Sequence, residues 1–189
     1  DAKNSGTFGR LILGLLVKSP HKIKLIGDKS LSKRDFSRIT TPLKKFGAKF
    51  YYKSKDKLPL SILGAKSLKG INYLENKGSA QCKSSVMLAA LSALGTTSIK
   101  AKKSRDHSEL LFKYLKIPTK IKKTQNYDFI DIKQPKKIKA FNYRIPADIS
   151  SSAFFIVLTI LADNSKLLIK NVNINPSRTG VIKILKKMG

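Results

Sequence analysis

Gly78-Ser79-Ala80-Gln81-Cys82-Lys83-Ser84-Ser85, running on into Val86-Met87-Leu88-Ala89-Ala90-Leu91, reads as a polar cap that opens an apolar helix. The pattern occurs twice more. Gly6-Thr7 leads into Leu11-Ile12-Leu13-Gly14-Leu15-Leu16, and Ser150-Ser151 into Ala153-Phe154-Phe155-Ile156-Val157-Leu158. The anchors Thr7, Ser79 and Ser151 lie 72 residues apart (79 − 7 and 151 − 79), so a repeat governs the chain before any local motif is weighed.

Outward from these helices the period holds. Each leads into a short strand, at residues 22–26, 98–101 and 166–170. A second helix then opens on Lys33-Arg34-Asp35, Ser104-Arg105-Asp106 and Ser177-Arg178-Thr179, the last copy ending under a capping glycine, Gly189. Further strands are predicted at 48–52, 60–63 and 67–73 in one copy and at 120–122 and 129–132 in the next. Read circularly, the unit is βαβαββ, present about two and a half times, and it predicts a layered α/β (α+β) body. The run Phe141-Asn142-Tyr143-Arg144-Ile145-Pro146 reads as a strand ended by proline before a helix cap. A domain boundary is expected there, with two units of one globular domain in residues 1–142 and a crossover into an incomplete second domain in 143–189. A start at Asp1-Ala2-Lys3 without methionine gives the expectation of an internal piece of a longer protein.

Composition narrows the function classes. With 41% hydrophobic and 26% charged residues the chain can bury a core. The longest apolar run, residues 153–162, falls short of the roughly 20 residues that span a bilayer and is expected to be a core helix. Cys82 is the single cysteine, so no intrachain disulfide framework exists and a cytoplasmic setting is expected; at its place in an apolar helix it reads as a buried filler. The net charge of +28 raises the possibility of a basic nucleic-acid-binding protein. The cations are nevertheless spread along the chain, and only six are arginine (Arg10, Arg34, Arg38, Arg105, Arg144 and Arg178), leaving 33 lysines (39 − 6). Most of the lysines read as solvated surface. The scarce arginines are more informative, because their bidentate fork fits carboxylate and phosphate.

Taken in order and at these separations, Asn4-Ser5-Gly6-Thr7 with Arg10, Gly27-Asp28-Lys29-Ser30-Leu31 with Lys33-Arg34, the Gly78–Ser85 segment, Ser104-Arg105-Asp106-His107-Ser108-Glu109, and Ile145-Pro146-Ala147-Asp148-Ile149-Ser150-Ser151-Ser152 resemble the enolpyruvylshikimate-phosphate synthases. That resemblance implies two domains of three βαβαββ units each, the enolpyruvyl transferase fold. It also implies transfer of the enolpyruvyl group of phosphoenolpyruvate to the 5-hydroxyl of shikimate 3-phosphate, with release of phosphate, in aromatic amino acid biosynthesis. Small residues at helix N-termini suit such polyanions, since free N–H groups point at the ligand.

By the same resemblance Gly6, Thr7, Arg34 and Gln81 would contact phosphoenolpyruvate, and Ser79, Ala80, Gln81 and Arg105 would contact shikimate 3-phosphate. Simple helix capping is the competing reading of the small residues, and surface ion pairs with Asp35 and Asp106 that of the two arginines. His107, between Asp106 and Ser108, is not expected to form a nucleophilic relay, because adjacent residues at a helix start point in different directions. The family's catalytic lysine and acid/base carboxylates have no counterpart in this chain, so no catalytic residue is assigned and the chain alone is expected to be inactive. No cofactor, metal, membrane or nucleic-acid partner is expected, and the full-length enzyme is expected to be a monomer. In the family glyphosate occupies the phosphoenolpyruvate site beside the glycine matching Gly6, and insensitive members often carry alanine there. The sister UDP-N-acetylglucosamine enolpyruvyl transferase, which shares the fold, is the alternative enzyme.

Overall fold

A computed structural model describes residues 1–188, so the Gly189 cap lies outside the described residues. The chain divides into two compact units, Asp1–Ile138 and Lys139–Gly189.

The first unit holds two copies of one topology. In the second copy β5 (Asn72–Glu75), α4 (Ala80–Ala90), β7 (Thr96–Lys102), α5 (His107–Tyr114), β8 (Thr119–Lys123) and β9 (Tyr127–Lys133) follow one another as βαβαββ. Their four strands form one sheet in the order β5-β7-β9-β8, with β5 and β7 parallel and the other pairs antiparallel. The first copy runs α1 (Gly6–Leu15), β1 (Ile23–Leu25), α2 (Lys29–Ser32), α3 (Ser37–Lys45), β2 (Lys49–Tyr52) and β3 (Leu60–Leu63). Its sheet order β1-β3-β2 reproduces β7-β9-β8, antiparallel at both junctions. The expected strand at 67–73 divides into β4 (Leu68–Lys69) and the start of β5, and β4 pairs in parallel with β6 (Ala93–Leu94), which was not legible in the sequence.

Alternation decides which face of each sheet is covered. In β7, Thr97, Ile99 and Ala101 are buried, and in β9 so are Asp128, Ile130 and Ile132, while Lys100 and Phe129 face outward. The inward residues meet the helices in a core that includes Leu13, Val17, Phe36, Leu43, Ile62, Met87 and Phe112. Cys82 is buried in it, as its apolar surroundings suggest.

The second unit contains α6 (Ile149–Leu161), α7 (Gly180–Met188) and a single parallel bridge, Ala147↔Val172. Arg178 closes it by donating to Asp148 Oδ1 at 2.8 Å and to the Ser150 hydroxyl.

Several expectations fail in detail. Residues 166–170 and 141–146 form no strand, because a strand needs a ladder partner and the second unit offers only the Ala147↔Val172 bridge. Residues 153–162, expected as core, are not buried, Phe154 being 80% exposed and Leu161 78%, while Ile149 and Ser152 at the start of α6 are buried. Of the three anchors only Ser79 is a cap. Ser5 caps α1, its Oγ accepting from Phe8 N at 3.1 Å, and Asp148 caps α6 by accepting from Ser150 N. Thr7 and Ser151 already lie within the first turn, two and three residues past the extended backbone that a cap requires.

Candidate functional site

Helices α1 and α4, 71 to 75 residues apart in sequence, pack side by side in the same direction. Thr7 and Arg10 of α1 touch Gln81, and one turn further on Arg10 and Gly14 meet Ser85, so the contacts advance together along both helices. The approach depends on Gly14, since a methyl group there would overlap the backbone carbonyl of Ser85. Ser85 Oγ also donates to the Arg10 carbonyl at 2.9 Å. The parallel arrangement brings both N-termini, each the positive end of a helix dipole, to one edge of the unit.

At that edge the caps satisfy one N–H of each helix, Phe8 N by Ser5 and Cys82 N by Ser79 at 3.3 Å. The N–H groups of the first helical residues, Gly6 and Thr7 in α1 and Ala80 and Gln81 in α4, have no intrahelical acceptor. Gln81 joins the two ends: its Oε1 accepts from Arg10 Nη1 at 2.7 Å, and its Nε2 donates to Thr7 Oγ1 at 2.6 Å. Arg34, in the loop between α2 and α3, closes over Gly6, where an added methyl would lie 2.9 Å from Arg34 Nη1 and 3.0 Å from Arg10 Nη1. Arg10 stands over the Phe36 ring at 5.6 Å. Burial lowers its pKa from the ordinary value, and Arg34 and Arg38 push the same way, though an arginine so lowered remains a cation.

On the other side of Gln81 lies a cavity of about 190 Å³, lined by Thr7, Leu11, Ala80, Gln81 and Ser84 and by Arg105, His107 and Ser108 at the start of α5. The carboxylates beside the two arginines are engaged by other groups. Asp35 accepts from the Ser37 hydroxyl at 2.6 Å and its N–H at 2.7 Å, and these hold its carboxyl below the ordinary range. Asp106 accepts from Lys123 at 2.9 Å, which raises the Lys123 pKa.

Of the residues singled out from the sequence, Thr7, Ala80, Gln81 and Arg105 line one cavity, and Gly6 and Arg34 adjoin it through Arg10. Ser79 instead caps α4, and its own N–H is bound by Glu75 Oε2 at 2.9 Å. Sequence reasoning missed the roles of four residues. Arg10 is a bridge between the helices rather than an accessory of the first motif. Glu75, 2% exposed at the end of β5, organises the loop into α4 by accepting from Lys77 N, Ser79 N and Arg38. Lys83 and Glu109 form a buried ion pair between α4 and α5. A lysine inside an apolar helix was the one signal that could have found it.

A family model described as "EPSP synthase (3-phosphoshikimate 1-carboxyvinyltransferase)" matches residues 1–189. The chain is 43% identical over 191 residues to a 3-phosphoshikimate 1-carboxyvinyltransferase of Caldicellulosiruptor bescii and 42% identical to one of Bacillus subtilis. Each alignment takes in 100% of this chain and 44% of the relative, so the chain spans less than half the length of the curated relatives it matches. Among solved structures, EPSP synthase from Acinetobacter baumannii matches with a TM-score of 0.83 and 39% identity, over 99% of this chain and 42% of that one.

Proposed function

The chain belongs to the EPSP synthase family, and on that premise we propose that the protein transfers the enolpyruvyl group of phosphoenolpyruvate to the 5-hydroxyl of shikimate 3-phosphate, releasing phosphate. The observation that carries this reading is Gln81, held by Thr7 and Arg10 between two arginine-bearing groups. On one side are Gly6, Arg10 and Arg34, on the other Ala80 and Arg105. Two anions bound there would share one amide, which suits a reaction that must hold two polyanions in contact.

In this proposal Gly6, Thr7, Arg34 and Gln81 bind phosphoenolpyruvate, and Ser79, Ala80, Gln81 and Arg105 bind shikimate 3-phosphate. Helix N–H groups and guanidinium forks receive the phosphate and carboxylate oxygens. The fixed donors cost little reorganisation as charge develops in the tetrahedral intermediate. Residues 1–142 form two units of one globular domain, and 143–189 the crossover and first part of a second. The 189-residue chain by itself binds but does not turn over, because one wall of a cleft does not exclude water. Neither alternative from the sequence is favoured: the curated relatives carry the name 3-phosphoshikimate 1-carboxyvinyltransferase. Among the described residues no helix is long and apolar enough to cross a membrane. A lone, buried cysteine supports a cytoplasmic setting, and a monomer remains the proposed state.

The test is phosphate release from phosphoenolpyruvate by the protein at its natural full length, with and without shikimate 3-phosphate. Release that requires both ligands is expected. Release indifferent to shikimate 3-phosphate would overturn the reading.

A further inference from the structure

Lys83 Nζ and Glu109 Oε1 meet in an ion pair that joins α4 to α5, with the two side chains 0% and 3% exposed. Among the described residues neither charged end has another hydrogen-bond partner, so each depends on the other. The pair sits close behind each helix start: Lys83 N bonds the Ser79 carbonyl at 3.1 Å, and Glu109 lies in the first turn of α5. Beside it Ser84 Oγ and Ser108 Oγ are 2.6 Å apart. In front of it lies the cavity whose walls are Ala80 and Gln81 from α4 and Arg105 from the approach to α5.

An ion pair buried this completely is a poor source of stability. Removing two charges from water costs about as much as their attraction returns, and apolar residues of similar volume often serve as well or better. What it supplies instead is directional: two groups with a single partner each fix the separation of the helices that carry them. Their separation sets the width of the cavity between Gln81 and Arg105. We propose that Lys83 and Glu109 are positioning residues which, without touching a ligand, hold the start of α5 against α4 and so set affinity for the phosphate of shikimate 3-phosphate. This inference rests on the proposed function of the site. The phosphoenolpyruvate side, built from α1, the loop carrying Arg34 and the Gln81 amide that Thr7 and Arg10 of α1 hold, takes no residue from α5 and is left unaffected.

The experiment replaces both charges together, Lys83→Met with Glu109→Met, in the protein at its natural full length. Melting temperature and the separate KM values for shikimate 3-phosphate and phosphoenolpyruvate are then measured. The expected result is a melting temperature equal to or above that of the unmodified protein and a KM for shikimate 3-phosphate raised on the order of tenfold. The KM for phosphoenolpyruvate should stay within about twofold. The exchanged pair, Lys83→Glu with Glu109→Lys, should recover most of the lost affinity. A double-methionine variant that fails to fold, or that folds with an unchanged KM for shikimate 3-phosphate, overturns the inference. Arg105→Ala, run in parallel, separates the two levels. Lost affinity in Arg105→Ala but none in the double variant rejects positioning and keeps the site; loss in neither rejects both.

Discussion

Arg10 of α1 donates a 2.7 Å hydrogen bond to the side-chain oxygen of Gln81 in α4, 71 positions away. The other end of the same amide donates to Thr7 at 2.6 Å, so the side chain is held from both sides by one helix. A ligand arriving at Gln81 therefore meets an amide already oriented, and the arginine that orients it is itself a cation at the same edge.

The arginines on the two sides of Gln81 should separate the two ligands. Arg34→Ala is expected to weaken phosphoenolpyruvate binding, and Arg105→Ala shikimate 3-phosphate binding. Each loses a charge-assisted contact of about 1.5–3 kcal/mol, roughly 10- to 150-fold in affinity. Titration of each variant with each ligand checks it; identical losses for both ligands in both variants would remove the assignment of sides.

Gly6→Ala should alter inhibitor discrimination more than folding. The new methyl would press on Arg34 Nη1 and Arg10 Nη1, the far ends of flexible side chains that can give by a few tenths of an ångström. Phosphoenolpyruvate should lose modest affinity, while glyphosate, the longer molecule, should lose more. Inhibition measured at several phosphoenolpyruvate concentrations is the check, with equal inhibition of both proteins as the contrary result.

Gly14→Ala tests the helix crossing. Its methyl would meet backbone, the Ser85 carbonyl, which cannot swing aside, so α1 and α4 must separate. A cost of about 1–3 kcal/mol in stability is expected, with loss of the Arg10–Gln81 geometry and of binding. Thermal denaturation reports the first and ligand titration the second; a variant as stable as the parent contradicts the packing described.

Asp28 should contribute to acid sensitivity. The Asn4 side chain first, and then the Leu31 N–H at 2.7 Å, hold its carboxyl below the ordinary carboxylate range. A folded-state pKa depressed in this way contributes stability that is present above the unfolded value and lost as pH falls through the folded one. Asp28→Asn keeps a capping side chain but has no proton to take up. Its stability should therefore fall less steeply than the parent's below about pH 5, read from denaturant unfolding across that range.

The sequence by itself determined the repeat, most helices and most strands of residues 1–138, because caps, apolar runs and alternation act over a few residues; it missed α2, and Lys33-Arg34-Asp35, expected to open a helix, lie in the loop before α3. Ser79 before an apolar stretch and the alternation at 129–132 needed no knowledge of the rest of the chain. Family motifs also placed Gly6, Arg34, Gln81 and Arg105 in one list of candidate ligands. Only the tertiary structure decided how those residues are held. The parallel docking of α1 on α4 rests on the absence of a side chain at Gly14, and an absence carries no periodic signal. Lys83 looked in sequence like one more lysine of a highly basic chain until its burial against Glu109 became visible. Residues 166–170 carry a strand-like apolar run yet form no strand, since composition prepares a segment for a sheet while hydrogen bonds to another segment are what make it one.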